Sequence, residues 1–460
     1  MKVKKVSLKN YRGAQDLSLE LNPRLNVFVG VNGSGKSTVL DAIAIMLSWA
    51  VSRINRAGGS GRPIVESDIT NGKSASSIEI SCEAEGRTIE WELFKVRKGY
   101  AAPEGRSKLQ ELNEYTKGIQ YRISETSEKV NLPIFDYYPV NRAVLDIPLR
   151  IRGKHSFGLL TAYEGALTSG ADFRTFFEWF REREDLENEV MKQQMKQLTL
   201  RDSELDYGNE SSKMPDNDTE KQPKRSKKQN TTFKPESYQF PDPQLEAVRA
   251  ALTKFLPEFS NLTVRRQPLR MEVENNGKPF TVNQLSDGEK CLIALIGDLA
   301  RRLAILNPVS ANPLEGSGIV LIDEIDLHLH PKWQRMVIPK LLDVFPKCQF
   351  IVSTHSPNVI THVQHESLFL LKQTDSGIEA EKPSESYGKT VDRVLEDLMG
   401  LETTRPNEVE SELGIIFEKI NSGKLKEAKN LISMLKEKIG SDPELVKAEV
   451  LIKRKELIGK

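Results

Sequence analysis

The sequence contains 460 residues, of which 38% are hydrophobic and 28% charged, as in an ordinary globular protein of two or three domains. Its 66 lysines and arginines balance 65 aspartates and glutamates, so overall charge gives no indication of nucleic-acid binding. The three cysteines predict neither a disulfide framework nor a metal site, and neither a signal peptide nor a membrane span is expected, which favours a cytoplasmic protein.

The first part of the chain is dominated by strand-like alternation. Residues 1–29 are expected to form three strands, with a turn at residues 10–13 after the first. Alternation at 77–84 and 87–96 predicts an antiparallel hairpin, and the apolar run at 133–138 predicts a buried strand.

A phosphate-binding loop lies at residues 30–38, which read G-V-N-G-S-G-K-S-T between a strand-like and a helix-like run. Backbone N–H groups at the glycines and the N-terminus of the next helix would surround a polyphosphate. Lys36 is expected to reach the β- and γ-phosphates, and Ser37 to ligate Mg²⁺. The predicted contacts in this loop are Asn32, Gly33, Ser34, Gly35, Lys36, Ser37 and Thr38. The sequence therefore predicts binding of ATP with Mg²⁺.

The middle of the chain is predicted to contain a long helix followed by a flexible loop. Aromatic residues at helical spacing predict a helix from about 172 to 200, and the acidic residues at 181–189 are interpreted as its solvated face rather than as metal ligands. Residues 203–237 have almost no apolar side chains and predict a flexible loop. The basic run at 221–228 is either solvated or contacts DNA.

Order is expected to return at residue 241 with a helix, followed by a hairpin that turns at Asn276 and Gly277. Residues 285–290 read L-S-D-G-E-K and open a further apolar helix. Ser286 and Glu289 would form a capping box at its start. The same segment resembles the LSGGQ signature of ABC-type ATPases, which implies nucleotide contacts for Ser286 and Gly288.

Residues 318–324 predict a buried parallel strand that ends in two carboxylates and lies beside the phosphate loop. Asp323 is expected to hold Mg²⁺ through its water shell, and Glu324 to polarise the attacking water. Residues 325–328 follow as a D-loop would in these ATPases.

A second buried strand at 349–352 leads to His355, which is placed to sense the γ-phosphate. Ser356 and Pro357 are expected to cap and begin the next helix.

Phosphate loop, signature, Asp-Glu strand, D-loop and histidine occur in the order of ABC-type ATPases, and the chain resembles their non-transporter branch, the heads of SMC, RecF and OLD proteins. The resemblance covers about residues 1–40 and 280–360. It implies an α/β P-loop ATPase head of the ABC type (SMC/RecF-like), with a mixed antiparallel and parallel sheet core, a helical insertion and a C-terminal helical module. It also implies a homodimer, in which the signature helix of one head completes the ATP site of the other.

Two residues depend on this resemblance alone. Asn10, Tyr11 and Arg12 are similar to the first-strand motif of these heads, which implies a nucleotide contact for Arg12; a surface turn arginine is the alternative. Such heads usually carry a glutamine before the insertion. Asn141 occupies the equivalent place here and is the candidate Mg²⁺ or water contact.

The chain is expected to contain an ATPase lobe at 1–165, a helical insertion at 166–205, a flexible linker at 206–237, a second ATPase lobe at 238–385 and a helical docking module at 386–460. The last segment predicts three short helices, which fit either a helical-repeat docking module or a flap on the head.

Chain length, the short insertion, the Phe-rich segment 173–188 and the helical tail together resemble PtuA-type ATPases of Septu anti-phage systems, which also have relatives in retron operons. The resemblance implies a companion HNH nuclease (PtuB-type), DNA contact through that complex, and a higher oligomer of dimers such as a hexamer. With no nuclease signature in the sequence, the chain is expected to be an ATPase and not itself a nuclease. The alternative is a RecF/SMC-type DNA repair ATPase without a nuclease partner.

Overall fold

A computed structural model describes residues 1–101, 105–140, 157–168, 173–206 and 241–458. The chain divides into two compact units, Met1–Tyr387 and Gly388–Lys460. Both predicted ATPase lobes belong to the first unit, and their finer division stays a prediction.

The strands, in chain order, are β1 (Lys2–Tyr11), β2 (Ala14–Glu20), β3 (Leu25–Val29), β4 (Ala75–Ala84), β5 (Arg87–Val96), β6 (Ile134–Tyr138), β7 (Phe259–Arg266), β8 (Leu269–Asn275), β9 (Lys278–Thr281), β10 (Gly318–Ile322), β11 (Cys348–Thr354), β12 (Leu368–Thr374) and β13 (Gly377–Glu381). The helices are α1 (Lys36–Asn55), α2 (Gln110–Glu125), α3 (Phe173–Asp206), α4 (Pro243–Phe255), α5 (Asp287–Leu306), α6 (Pro331–Val344), α7 (Pro357–Ile360), α8 (Val391–Arg393), α9 (Asn407–Asn421), α10 (Leu425–Ile439) and α11 (Pro443–Ile458).

The central sheet has six strands in the order β13-β12-β3-β11-β10-β6, and all neighbours are parallel except β12 and β13. Every residue of β3, β6, β10 and β11 is buried, as expected for parallel strands covered on both faces. The predicted buried strand that leads to the two carboxylates is β10, and it runs parallel to β3, the strand that leads into the phosphate loop, without pairing with it directly. Strand β11 pairs with both and separates them, a pairing that the local sequence pattern does not encode.

Helix α1 lies between this sheet and a second, antiparallel sheet of order β2-β1-β4-β5, since it contacts β4 as well as β6, β10 and β11. It is long and apolar enough to cross a membrane, but it is mostly buried, as the core helix of a globular protein would be. Gln349 of β11 joins the two sheets: its Nε2 donates to the carbonyl of Val3 over 2.8 Å, and its Oε1 accepts from the Val3 N–H over 2.7 Å.

The insertion begins with α3, which packs on α4, α5 and the small sheet β7-β8-β9. The interpretation of its acidic residues as a solvated face is wrong for two of them. Glu184 and Glu187 are buried and pair with Arg266 and Arg249 respectively. Basic partners brought by β7 and α4 compensate the charges, and those partners lie more than 60 residues away in sequence. The predicted basic run at 221–228 lies outside the described residues.

The second unit contains α8 to α11 and has a core of its own. Its buried residues come from α9, α10 and α11: Val409, Leu413, Ile416, Ile420, Ala428, Ile432, Leu435, Leu445, Ala448 and Ile452. Each of the three helices presents one apolar face to the other two.

Candidate nucleotide-binding site

The phosphate loop (residues 30–38) connects the buried strand β3 to helix α1, and two of its glycines have no room for a side chain. Gly30 has φ 157°, and a Cβ there would lie 2.4 Å from the carbonyl oxygen of Leu371. Gly35 has φ 98°, and a Cβ would lie 2.2 Å from Cδ1 of Ile378. The neighbouring strands β12 and β13 therefore hold the loop in a shape that only glycine permits at these positions.

Lys36 begins helix α1 and is almost completely buried, with 5% of its surface exposed. Its Nζ donates to the carbonyl oxygens of Gly30 and Val31 over 2.8 and 3.0 Å, so the ammonium is folded over the loop. Burial lowers the pKa of Lys36, while the carboxylates of Asp323 and Glu324 act in the opposite direction. The phosphate-loop lysine and the two carboxylates that end β10 are therefore within electrostatic reach of one another.

The remaining loop residues suit an anionic ligand. Asn32, Gly33 and Ser37 are exposed, and Thr38 is half-buried. Ser34 is buried, and its hydroxyl has no hydrogen-bond partner within the described part of the chain. A buried hydroxyl without a partner in a loop that precedes a helix N-terminus is consistent with a bound polyphosphate.

Asp323 and Glu324 directly follow β10, and a serine from the adjacent strand orients both. Ser353 Oγ donates to Asp323 Oδ1 and accepts the backbone N–H of Glu324 over 2.8 Å. Asp323 is buried, and its N–H donates to the carbonyl of Tyr138 over 2.8 Å. Glu324 has φ 49°, a left-handed conformation that is costly for a residue with a Cβ and is typically retained at functional sites.

The protein donors at this edge suit Mg²⁺. The exposed hydroxyl of Ser37 and the carboxylate of Asp323 are hard oxygen ligands, which Mg²⁺ prefers. Among the described residues no group of three or more His, Cys, Asp or Glu side chains could hold a metal ion. A site with few protein ligands fits an ion that keeps several waters and binds substrate phosphates.

The segment after β11 is tied to the D-loop (residues 325–328). Thr354 Oγ1 donates to Asp326 Oδ1 over 2.5 Å, and the N–H of Ser356 donates to Thr354 Oγ1 over 3.0 Å. His355, between them, is half-buried at the carboxyl end of β11. Ser356 occupies the predicted N-cap position, but its hydroxyl donates to Gln334 over 2.8 Å instead of capping the helix, because α6 brings that amide within reach.

The signature segment (residues 285–290) starts helix α5 with the predicted capping box. The N–H of Ser286 donates to Glu289 Oε2 over 2.7 Å, and Ser286 Oγ accepts from the Glu289 N–H over 3.4 Å. Gly288 is buried, and a Cβ there would lie 2.5 Å from the carbonyl oxygen of His328. The start of the signature helix therefore packs against the D-loop of its own chain, while Ser286 is exposed.

The structure places Arg12 in the turn between β1 and β2, where it pairs with acidic residues. Its Nε donates to Asp68 over 2.9 Å, and its Nη2 donates to Asp41 of α1. Its side chain is 36% exposed, so the guanidinium is neither isolated on the surface nor fully enclosed. Asn141 lies outside the described residues.

The parallel strands β3, β11 and β10 bring the predicted residues to one edge, because their carboxyl ends all face the same way. Lys36, Ser37, Asp323, Glu324 and His355 follow these strand ends. Sequence reasoning missed Ser353, which contacts the Asp323 carboxylate and the Glu324 backbone N–H, and it missed the acidic partners of Arg12. The feature of the sequence that could have indicated the role of Ser353 is the pair of hydroxyl residues, Ser353 and Thr354, just before His355.

Comparison with known proteins identifies a family for this chain. The family model described as "AAA domain, putative AbiEii toxin, Type IV TA system" matches residues 25–361. The protein named "Retron Ec83 probable ATPase" from Escherichia coli is 32% identical over 99% of this chain and 87% of its own length. The "Septu protein PtuA" of Bacillus thuringiensis is 35% identical over 28% of this chain and 35% of its own length.

The SMC head domain from Thermotoga maritima aligns with a TM-score of 0.42 and 15% identity, covering 84% of this chain and 100% of that one. The predicted fold class is confirmed: the first unit is an α/β P-loop ATPase domain with a mixed parallel and antiparallel sheet. The predicted resemblance to PtuA-type and retron ATPases is confirmed as well. The chain therefore belongs to the AAA-domain family of P-loop ATPases whose model matches residues 25–361, and it is a relative of the retron Ec83 probable ATPase.

Proposed function

We propose that the chain binds and hydrolyses ATP with Mg²⁺ as the regulatory subunit of an anti-phage defence complex, and that its nucleotide state controls a companion HNH nuclease. The observation that carries the ATPase part is that the parallel strands β3, β11 and β10 bring Lys36, Asp323 and Glu324 to one edge of the sheet. The defence part is supported by the names of the relatives, which refer to retrons and to Septu.

Each site residue has a role in this proposal. The loop amides, Asn32, Gly33, Ser34 and Thr38 bind the phosphates, and Lys36 leaves its two carbonyl partners to contact the β- and γ-phosphates. Ser37 and Asp323 hold Mg²⁺, which supplies charge neutralisation on the phosphates when bound.

Glu324 accepts the proton of the attacking water as general base, and His355 contacts the γ-phosphate. Ser353 keeps Asp323 and Glu324 in place through its two hydrogen bonds.

A second copy of the chain completes the site in this proposal. Ser286 is exposed at the N-terminus of α5, where a γ-phosphate of another head could approach backbone amides and a hydroxyl. The working unit is thus a homodimer that closes over two ATP molecules, within a higher oligomer of dimers such as a hexamer. The C-terminal unit, Gly388–Lys460, is the proposed docking module for the nuclease, through which the complex reaches DNA.

The first test replaces the general base. Glu324→Gln is expected to slow ATP hydrolysis by roughly 10²–10⁴-fold, because the amide cannot accept the proton of the attacking water. ATP affinity is expected to stay unchanged, and the variant should accumulate as ATP-loaded dimers. Phosphate release measures the rate, and light scattering with ATP and Mg²⁺ measures the mass.

The matched control is Glu437→Gln, which removes an exposed carboxylate of the second unit. It should hydrolyse ATP at the wild-type rate. Normal turnover by the Glu324 variant would contradict the assignment of the base.

The second test concerns the partner. The tagged chain, expressed with its neighbouring genes, should co-purify with a small HNH protein on a multi-dimer assembly, and a chain that stops at residue 387 should lose that protein while still binding ATP. A lone dimer that binds DNA only in the presence of ATP would instead indicate the repair-type ATPase.

A further inference from the structure

Two arginines share one carboxylate on helix α1, close to the phosphate loop. Arg12 Nη2 donates to Asp41 Oδ2 over 2.5 Å, and Arg62 Nη2 donates to Asp41 Oδ1 over 2.7 Å. Asp41 follows Ser37 by four residues, so both lie on the same face of α1. Asp41, which both arginines contact, is therefore about one helical turn, about 6 Å along the axis, from Ser37, whose hydroxyl is proposed to face Mg²⁺.

Arg62 is anchored independently of this carboxylate. Its backbone N–H donates to Ser48 Oγ over 2.7 Å, and its carbonyl accepts from Trp49 Nε1 over 2.9 Å. Its guanidinium also donates to the carbonyl of Leu167 over 3.2 Å. Both its backbone and its side chain are thus fixed to surrounding structure.

Arg12 is held differently. Its backbone is fixed, because its N–H donates to the carbonyl of Asp68 over 2.6 Å and its carbonyl accepts from Thr70 Oγ1 over 2.8 Å. Its guanidinium contacts the carboxylates of Asp41 and Asp68 and lies 5.1 Å from the ring centre of Tyr11. The half-buried side chain, in contrast to the backbone, is bound by carboxylates with which a more highly charged anion would compete for the guanidinium.

The departure of Arg12 would leave neither carboxylate without a partner. Asp41 would keep Arg62, and Asp68 would keep the backbone N–H of Val65, which donates to its Oδ2 over 3.0 Å. This matters because Asp41 and Asp68 are only 13% and 8% exposed, and an unpaired carboxylate at such burial would oppose the movement.

We infer that Asp41 holds Arg12 in a resting position from which the polyphosphate of a bound nucleotide draws it, and that Arg62 is the counter-ion that stays on Asp41 when Arg12 leaves. Asp41 and Arg62 are then positioning residues that tune nucleotide affinity through Arg12. The inference rests on the proposed function, since it requires a nucleotide at residues 30–38.

The test measures binding of a non-hydrolysable ATP analogue, with Mg²⁺, to the full chain. Asp41→Asn should tighten binding about tenfold, because a neutral amide competes weakly for the guanidinium; tenfold corresponds to about 1.4 kcal/mol, the scale of one charged hydrogen bond. Arg62→Gln should weaken binding about tenfold, because Arg12 is then the remaining arginine on Asp41, and its movement to the nucleotide would leave that buried carboxylate without a counter-ion.

Both shifts should disappear when Arg12→Gln is combined with each substitution, whereas a purely structural effect would persist. Shifts of the same sign for Asp41→Asn and Arg62→Gln, or shifts that survive in the Arg12→Gln background, would overturn the inference. A tryptophan-fluorescence melt checks that Asp41→Asn and Arg62→Gln are folded. If one of them is unfolded, the affinity of the other, measured with and without Arg12→Gln, tests the inference.

Failure of the proposed function would look different. In that case the wild-type chain would not bind the analogue, or Lys36→Ala would bind it as tightly as the wild type.

Discussion

Asp136 is a completely buried carboxylate on β6 that no sequence motif marks. It lies 3.1 Å from Arg302 Nε of helix α5, and Arg302 also pairs with Asp298 of the same helix at 2.8 Å. Tyr138 Oη donates to Asp298 over 3.1 Å, so β6 and the signature helix are joined by a buried ionic network. Burial raises the pKa of Asp136 to about 7, with Arg302 acting in the opposite direction.

The surroundings shift the pKa values of the two carboxylates of this network in opposite directions. Burial alone would raise the pKa of Asp298, but the charges of Arg302 and Arg301 outweigh it and lower that pKa. Arg301 also donates to Asp298 Oδ1 over 2.6 Å. The charged form of Asp298 is therefore stabilised by both arginines.

A pH dependence of stability follows from Asp136. An unfolded aspartate titrates near pH ~4. Between about pH 4 and 7 the folded chain therefore holds one proton more than the unfolded chain at this site, and its contribution to stability falls as pH rises. Asp136→Asn cannot lose a proton, so it should remove this part of the slope.

The measurement is the urea midpoint at several pH values between 5 and 8, followed by tryptophan fluorescence. All four tryptophans belong to the first unit, so the signal reports that unit alone. Asp375→Asn, in the exposed turn between β12 and β13, is the control and should keep the wild-type slope. Equal slopes for Asp136→Asn and wild type would refute the assignment.

At the scale of elements, helix α3 protects an edge strand. Strand β7 is at one edge of the small sheet, and its Val264 N–H donates to Glu184 Oε2 of α3 over 3.1 Å. The same carboxylate oxygen accepts from Arg266 of β7 over 2.5 Å. A buried acid thus takes the place of a missing neighbouring strand, which is one way to block an open sheet edge.

Glu184→Ala should destabilise the first unit by about 1–3 kcal/mol, because it leaves the buried Val264 N–H without its acceptor and removes one of the two carboxylates that pair with Arg266. Fluorescence-monitored urea unfolding gives the difference in free energy. Glu189→Ala, on an exposed position of the same helix, should stay within about 0.5 kcal/mol of wild type. A loss of equal size in both variants would point to helix propensity rather than to the edge contact.

At the scale of the whole molecule, the second unit has the features of an autonomous domain. Its helices α9, α10 and α11 bury their own apolar residues against one another, and Arg405 pairs with Asp442 through two hydrogen bonds of 2.9 and 3.2 Å. Asp442 also accepts the N–H of Glu444 over 2.8 Å at the start of α11. The hydrophobic core and the polar contacts at the start of α11 are therefore both formed by residues of this unit.

We expect residues 388–460 to fold when expressed alone, with a helical circular-dichroism spectrum and a cooperative melt. Ile432→Asp should abolish the melt, because it puts a charge into the core of a small domain. Met434→Asp, on the exposed side of the same helix, should melt like wild type. A non-cooperative wild-type fragment would show that the unit depends on the rest of the chain.

Much of the fold was predictable where its signal is local. The hairpin of β4 and β5, the strands β6, β10 and β11, and the helices α3, α4 and α5 follow from periodicity and from turn residues. Helix α2 was missed because only three of its residues are buried, Leu112, Thr116 and Ile119, which leaves a weak apolar pattern.

The sequence by itself indicated the family and predicted the residues and the chemistry of the candidate site. Residues 30–38 and the pair Asp323-Glu324 are contiguous, and phosphate binding depends on backbone amides, glycines and a lysine that lie next to each other in the chain. Because the residues of such a motif are contiguous, their local conformation can be predicted before the fold is known.

Only the tertiary structure decided what surrounds these residues. Ser353 reaches Asp323 across 30 positions, Arg12 reaches Asp68 across 56, and Tyr138 reaches Asp298 across 160. No local period or motif relates residues so far apart, because sheet order and helix packing bring them together. The hydrogen-bond and charge partners of Asp323 and Arg12 are therefore products of the fold.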